Sequence, residues 1–353
     1  MTASTTINGG GEPSTKRPRL AGNEAGSEDG QPTYKMAYLG PPGTYGQMAA
    51  AAFQSCYDEP IELIPCPSIS AIWETSYTFH VFPLENTIHG GVTETLDCVL
   101  SNLHSNGSSA QLDEDRQGRR IIADLALPIS HCLVVKKGVK TEDIRWIRSH
   151  EQALGQSSNF IKTHFPSAKL KTYPSTAGAA VSLINDLNED EGEGAALCSK
   201  AAAKLYEDKL DILYQGTQGI SNNFTRFVLL SNQSQQVPNP TTSILSPHPT
   251  EFYVLPSASD IIPFFQSSQI RNIHSRPTPI PSTPISEKDE SQRKDGAWTL
   301  REDRFPTLYF VEVDVDGMGF QEEDSQISKK GKEKGWYIGK AGWRVTDDQI
   351  NAL

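Results

Sequence analysis

The chain has 353 residues, which is long enough for two or three domains with complete hydrophobic cores. Its formal net charge of −11 argues against a nucleic-acid-binding protein, which normally presents a basic face, yet local backbone amides can still bind a small anion. The five cysteines are scattered without a C-x-x-C pair, and no apolar run approaches the length of a membrane span. We therefore expect a cytoplasmic protein with reduced thiols, no metal site and no membrane association.

The first ordered element is predicted after a tail over residues 1–33, whose Gly, Ser, Thr, Glu and Pro content is typical of disorder. Met36–Leu39 is a predicted strand, and an Ala-rich helix follows from Gln47 to Phe53 after a glycine-containing loop. This arrangement directs free backbone N–H groups and the positive end of a helix dipole at an anion. The loop lacks the Gly-Lys-Ser/Thr ending of a P-loop, so nucleotide binding is not predicted.

A second polar loop follows the predicted strand Val81–Leu84 and precedes another helix. Glu85 and Asn86 stand at the end of this strand, where side chains of a parallel sheet face a ligand. Glu85 is either such a ligand-facing carboxylate or a salt-bridged surface carboxylate, and the local sequence supports both interpretations.

Two further helices are predicted to begin beside polar residues. Ser149, with Gln152 three positions later, has the capping-box pattern. Ser175 and Thr176 are predicted to cap the helix after the strand Leu170–Tyr173. Because strands and helices alternate, we predict an α/β architecture with parallel sheets, in which these loops surround one cleft. Several helix N-termini at one cleft suit a small, multiply charged anion without a metal.

A polar cluster at residues 222–226 leads into the last predicted strand of this region. Side chains alternate along a strand, so Thr225 shares a face with Phe227 whereas Arg226 points to the opposite face. Arg226 is therefore either an anion-binding residue or a structural ion-pair partner, and both possibilities stay open.

Taken together, five segments resemble the signature segments of the prephenate dehydratase family, in the family's order and at plausible spacing. They are residues 38–45, 83–88, 91–97, 149–154 and 223–227. The resemblance implies two lobes of the type II periplasmic-binding-protein kind with the active site between them. It also implies conversion of prephenate to phenylpyruvate without a cofactor, with loss of water and carbon dioxide, in phenylalanine biosynthesis.

The resemblance places the catalytic threonine at Thr225, with Glu85 and Asn86 as further catalytic candidates. Thr225 is predicted to hydrogen-bond or protonate the leaving hydroxyl, which requires a donor network because threonine is a poor acid. The predicted substrate-binding residues are Thr44, Ser149, Gln152, Gln156, Ser175, Thr176, Asn223 and Arg226.

The C-terminal part resembles the family's regulatory ACT domain, with a ferredoxin-like α+β fold, but diverges from it. His274 stands where the family has the Glu of a Glu-Ser-Arg-Pro motif, and His274, Ser275 and Arg276 are candidate allosteric residues. The family's Gly-Ala-Leu segment is missing near residues 256–262, so the sequence leaves open whether phenylalanine is an effector. The resemblance also implies a homodimer or homotetramer.

The predicted domains are a catalytic domain over residues 34–232, a linker over 233–249 and an ACT-like domain over 250–353. Within the catalytic domain, lobe 1 spans about 34–118 plus 211–232 and lobe 2 about 119–210. Two alternatives stay open: an arogenate dehydratase, whose substrate differs by an amino group, and a non-catalytic sensor that keeps the anion cleft.

Overall fold

The computed structural model describes residues 34–101, 118–185, 192–220, 222–232, 236–255, 258–261, 265, 270–277, 307–314, 326–333 and 337–351. The tail predicted over residues 1–33 lies outside these ranges. The described residues lie in one compact unit by their contacts. No helix among the described residues is long and apolar enough to cross a lipid bilayer.

The described residues form two sheets with helices on their faces. The strands are β1 (Tyr34–Leu39), β2 (Ile61–Cys66), β3 (Phe79–Asn86), β4 (Gly90–Gly91), β5 (Arg119–Pro128), β6 (His131–Lys136), β7 (Ile144–Ser149), β8 (Lys169–Thr172), β9 (Glu193–Ser199), β10 (Leu210–Gln215), β11 (Phe224–Asn232), β12 (Ile244–Leu255), β13 (Ile270–Pro277), β14 (Thr307–Asp314) and β15 (Tyr337–Arg344). The helices are α1 (Tyr45–Gln54), α2 (Ile69–Glu74), α3 (Thr93–Ser101), α4 (Glu151–Gln156), α5 (Ser158–His164), α6 (Thr176–Asn185), α7 (Lys200–Leu205), α8 (Gln326–Glu333) and α9 (Asp347–Asn351).

The larger sheet has the strand order β13-β14-β12-β15-β5-β11-β3-β1-β2, with β4 beside β3. Its strand β11 is apolar on both faces because both faces are covered. Val228 and Leu230 pack with α2 and α3, whereas Phe227 and Leu229 pack with α1 on the other side. A strand that is buried on both faces has consecutive apolar residues instead of alternating ones, which explains the apolar run that follows Thr225 and Arg226.

The smaller sheet has the order β10-β6-β9-β7-β8. Helices α6 and α7 cover one face, and α4 and α5 cover the other. The two-lobed α/β architecture is thus confirmed, but the predicted lobe boundaries were wrong. Strand β5 belongs to the larger sheet, between β11 and β15, and β10 belongs to the smaller sheet beside β6. An amphipathic or apolar strand does not reveal which of two sheets it joins.

The four C-terminal strands are mutually antiparallel in the order β13-β14-β12-β15. This order is that of a ferredoxin-like βαββαβ unit, with α8 between β14 and β15. Strand β12 begins at Ile244, inside the predicted linker, and β15 also pairs in parallel with β5. The C-terminal strands therefore continue the sheet of the first lobe, and their regulatory role stays a prediction.

Candidate active site

A cleft of about 1160 Å³ lies where loops of both sheets meet. Its walls come from the β1–α1 loop, the segment after β3, helix α4, the start of α6 and the first part of β11. The site residues predicted from the sequence that line it are Thr44, Asn86, Gln152, Gln156, Ser175, Thr176 and Thr225. Side chains far apart in the chain are therefore brought to one cavity.

The β1–α1 loop has its shape fixed by a cap and a glycine. The Thr44 hydroxyl accepts a hydrogen bond from the Gln47 N–H at 3.3 Å and donates to the Leu39 carbonyl at 2.7 Å. Gly43 has φ +85°, and a Cβ there would lie 2.9 Å from Ala202 of the other lobe. Only glycine permits this conformation and this close approach. The loop therefore places Thr44, the cap of helix α1, on the wall of the cleft.

Thr225 and Asn86 face each other across the β3–β11 pair. Asn86 Nδ2 donates to Thr225 Oγ1 at 3.0 Å, while Asn86 Oδ1 accepts from the N–H groups of Ile88 and His89 at 2.9 and 3.2 Å. These backbone donors fix the orientation of the amide. The same Nδ2 also lies 2.9 Å from Asn223 Oδ1 and 3.0 Å from the Phe224 carbonyl oxygen, so its two hydrogens are shared among three acceptors. Because Thr225 accepts in this network, its hydroxyl hydrogen is available to a ligand in the cleft.

Gln156 connects this pair to two histidines. Asn223 is buried, and its Oδ1 accepts from Asn86 Nδ2 at 2.9 Å while its Nδ2 donates to Gln156 Oε1 at 3.2 Å. His131 Nε2 lies 2.9 Å from the same Oε1, and Gln156 Nε2 lies 3.2 Å from His89 Nε2. Burial lowers the pKa of His131, an effect partly opposed by its hydrogen bond to Gln156. His131 is therefore a neutral donor to Gln156, and His89 Nε2 is the acceptor.

Arg226 lies outside the cleft wall, in a buried charge cluster. Its Nε donates to Asp124 at 2.7 Å, and its Nη1 is 3.0 Å from Glu85 and 2.6 Å from Glu312. We call these four residues the Arg226 cluster. Burial by itself would lower the pKa of Arg226, but Asp124 and Glu312 raise it above its ordinary value. The guanidinium is thus held as a structural cation.

Glu85, a catalytic candidate from the sequence, is also turned away from the cleft and toward Arg226. Among the described residues, one group of side chains could coordinate a metal ion. The ligand atoms of Glu85, His274 and Glu312 lie within 4.8 Å of one another. Arg226 already supplies a positive charge at these carboxylates, which weakens the case for a metal there.

Ser149 is fully buried and does not line the cleft. Its hydroxyl donates to the Leu197 carbonyl at 2.7 Å. The cap of α4 is instead His150, whose Nδ1 accepts from the Gln152 N–H at 3.3 Å. The capping-box prediction was therefore wrong by one residue, because Ser149 is still the end of strand β7.

The three candidate allosteric residues lie on β13, away from the cleft. His274 Nε2 is 3.7 Å from Glu312 Oε1, and Arg276 forms a two-bond ion pair with Asp97 at 2.6 and 2.7 Å. Ser275 pairs in register with Tyr309 of β14. Arg276 thus contacts the first lobe through Asp97 on α3, whereas Glu312, the neighbour of His274, lies on the adjacent strand β14.

Neither His131 nor Glu312 was predicted from the sequence to be a functional residue. His131 stands at the first position of a buried strand, and nothing local distinguishes it from a core histidine. Glu312 did carry a signal, since it is a carboxylate within the apolar run of β14 and is 0% exposed. A charge in such a strand indicates a buried partner, although not which one.

The sequence profile of the family described as prephenate dehydratase matches residues 36–235. An arogenate dehydratase/prephenate dehydratase of Arabidopsis thaliana is 32% identical over 223 residues, which cover 61% of this chain and 49% of that protein. A prephenate dehydratase of Lactococcus lactis is 31% identical over 206 residues, which cover 57% of this chain and 64% of the relative. The chain spans about half the length of the curated plant relatives that it matches.

Among solved structures, a prephenate dehydratase from Arthrobacter aurescens in complex with L-Phe has a TM-score of 0.61 to this chain. The two are 22% identical, and the match covers 89% of this chain and 91% of that one. This likeness concerns the fold. The family profile, in contrast, covers more than half of the sequence and includes Asn86, Gln156 and Thr225. The chain therefore belongs to the prephenate dehydratase family.

Proposed function

We propose that the protein converts prephenate to phenylpyruvate, a carbon–oxygen lyase (hydro-lyase) reaction in the biosynthesis of L-phenylalanine. The observation that carries this proposal is the Thr225–Asn86 pair. It presents to the cleft a hydroxyl whose oxygen accepts from Asn86 and whose hydrogen is available to a ligand. A fixed hydrogen-bond donor of this kind suits a departing oxygen.

In this reaction the bond between the ring and its carboxylate breaks, and carbon dioxide leaves. The electron pair moves through the ring and expels the hydroxyl on the opposite ring carbon, which takes up one proton and departs as water. The ring becomes aromatic, so the intrinsic driving force is large. A threonine is too weak an acid to supply the proton alone, so Thr225 holds the departing oxygen while the proton comes from solvent.

Prephenate is a dianion, yet no Lys or Arg is found among the described residues that line the cleft. Its carboxylates are instead matched by hydroxyls and by the N-terminal ends of two ten-residue helices, α1 and α6. Thr44, Ser175 and Thr176 stand at these two helix starts and line the cavity. This arrangement supports binding of two separated carboxylates from opposite lobes.

The test is phenylpyruvate formation from prephenate by the purified protein, with arogenate compared in parallel. We expect turnover of prephenate. Faster formation of phenylalanine from arogenate would make the protein an arogenate dehydratase, which the names of several plant relatives also suggest. Tight binding of prephenate without any product would support the sensor alternative and overturn the proposal.

We further propose that the C-terminal strands form an ACT-like regulatory unit and that the protein is a cytoplasmic homodimer or homotetramer. The strand order of that unit and the L-Phe complex of the Arthrobacter relative support a phenylalanine effector. The five cysteines, all free thiols, support a reducing compartment. Activity measured against added phenylalanine tests the effector, and a flat response would remove it.

A further inference from the structure

Glu312 lies outside the span that the family profile matches, yet its carboxylate reaches the strand that carries Thr225. Its Oε2 is 2.6 Å from Arg226 Nη1, the same nitrogen that is 3.0 Å from Glu85. Glu312 is 0% and Arg226 7% exposed. Removing one partner of such a buried pair has large effects, because solvent cannot replace it.

The Arg226 cluster lies behind an irregularity in the β3–β11 ladder. Thr225 pairs with Asn86 and Arg226 with Glu85, but Phe227 pairs with Pro83, so the register shifts by one residue. Bulges of this kind re-aim side chains beside functional sites. Pro83 also has no N–H to donate to the ladder. At this point the side chains, rather than backbone hydrogen bonds alone, must hold the two strands in position.

The C-terminal strands supply two of the contacts that hold the guanidinium. Glu312 on β14 binds it, and the ring of Phe252 on β12 lies 5.6 Å from Arg226 Cζ. Phe252 and Glu312 are register partners, so they form one rigid surface. Burial by itself would raise the pKa of Glu312, but the neighbouring His274 and Arg226 hold it below its ordinary range. The carboxylate is therefore charged.

We propose that Glu312 is a positioning residue for the dehydratase reaction. It acts through Arg226, fixes the β3–β11 bulge and so sets the distance and angle of the Thr225–Asn86 pair. The inference rests on the proposed function. It makes the C-terminal strands part of the framework of the active site, independently of any effector that they bind.

The first test is the kinetics of Glu312→Gln, which keeps the shape and removes the charge. We expect kcat to fall by about tenfold to 10²-fold with a smaller change in KM, because misplacing a reacting group costs rate rather than binding. The matched control is Asp97→Asn, which breaks the Asp97–Arg276 ion pair between α3 and β13, two residues that do not belong to the Arg226 cluster. The control should keep the wild-type kcat.

The second test asks whether the effect passes through Arg226. The effects of groups that act as one unit are not additive, so the losses of kcat in Arg226→Gln and in Glu312→Gln should not add in the double variant Arg226→Gln/Glu312→Gln. Additive losses would overturn the proposal, as would a wild-type kcat in Glu312→Gln. If Glu312→Gln does not fold, Glu312→Asp keeps the charge and shortens the side chain, and the same direction of change is expected.

The third test needs no turnover and separates this inference from the proposed function. The methyl NMR resonance of Thr225, on the strand face opposite Arg226, should shift in Glu312→Gln and not in Asp97→Asn. An unmoved resonance would contradict the positioning role. A wild-type protein that makes no product would refute the proposed function only, since the NMR result still decides whether Glu312 positions Thr225.

Discussion

Thr225 accepts a hydrogen bond from Asn86 in the cleft wall, and its hydroxyl hydrogen is available to a ligand. Asn86 occupies the hydroxyl oxygen with an N–H group, and two backbone N–H groups keep the Asn86 amide from turning over. A hydrogen bond that is stronger to the departing oxygen than to the hydroxyl of the bound substrate lowers the activation barrier. The effect is large in a cavity from which water is excluded. The predictions at the scale of single residues concern this pair.

Replacing Thr225 with Ala should lower turnover of prephenate on the order of 10²- to 10⁴-fold, because the donor to the departing oxygen is lost. Thr225→Ser keeps the hydroxyl and should retain most of the rate. Steady-state kinetics with circular dichroism as a folding check measure both. Near-normal turnover of the alanine variant would refute the assignment of Thr225.

Replacing Asn86 with Asp should lower kcat by about 10²-fold. A carboxylate in place of the amide N–H accepts the Thr225 hydrogen, so that the hydroxyl no longer donates to the substrate. Because Asn86 acts through Thr225, the double variant Asn86→Asp/Thr225→Ala should have the same kcat as Thr225→Ala alone. A further loss in the double variant would mean that Asn86 acts independently of Thr225.

At the scale of single elements, the second residue of strand β3 is a histidine that is neutral in the folded protein at neutral pH. His80 is fully buried, and burial together with the Arg119 guanidinium lowers its pKa to about 3. In the unfolded chain the pKa of this imidazole is about 6.5. Between these values the unfolded state binds more protons, so the free energy of unfolding decreases as the pH falls.

His80→Gln should therefore flatten the acid dependence of stability. Over a range of about pH 4 to about pH 6, the slope of the unfolding free energy should decrease by about 1.4 kcal/mol per pH unit, the value for one proton. Urea unfolding at several pH values measures this slope. A slope in His80→Gln equal to that of the wild type would contradict this prediction.

At the scale of the whole molecule, the C-terminal strands and the first lobe share a sheet because β15 lies against β5. The approach is so close that a Cβ at Gly339 would clash with the Ile121 carbonyl oxygen, and Gly339 has a φ of +153°, which L side chains rarely adopt. Gly342, on the same strand, has open space where its Cβ would be. The two glycines therefore separate the combined effect of this contact and this backbone conformation from the effect of strand propensity.

Gly339→Ala should destabilise the protein by roughly 1–3 kcal/mol, the usual range for overpacking, and Gly342→Ala should not. Denaturant unfolding of the two variants beside the wild type gives the comparison. Equal stability of both variants would show that β15 is not packed closely on β5 in solution.

Much of the architecture followed from local patterns. Alternation along β11 placed Thr225 on the cleft wall and Arg226 on the opposite face, as the structure has them. The glycine-containing β1–α1 loop before a helix was also predicted from the sequence, although the role of Thr44 as the cap of that helix was not. These features depend on residues within a few positions of one another, so sequence spacing contains them.

The ion-pair partners of Arg226 could not be predicted from local sequence patterns. Both a cleft-facing and a structural Arg226 fitted the sequence, and its pairing with Glu312 joins residues 86 positions apart. The same holds for the cap of α4, where one residue decides between the end of a strand and the start of a helix.

The sequence by itself determined the two-lobed α/β fold, the family and part of the set of side chains that line the cleft. Periodicity, caps and motif order set those features locally. Only the tertiary structure decided that β5 joins the first sheet, that Glu85 turns away from the cleft and that the C-terminal strands hold Arg226. Each of these depends on which buried charge or strand edge finds its partner, and that choice is made by the packing of distant segments.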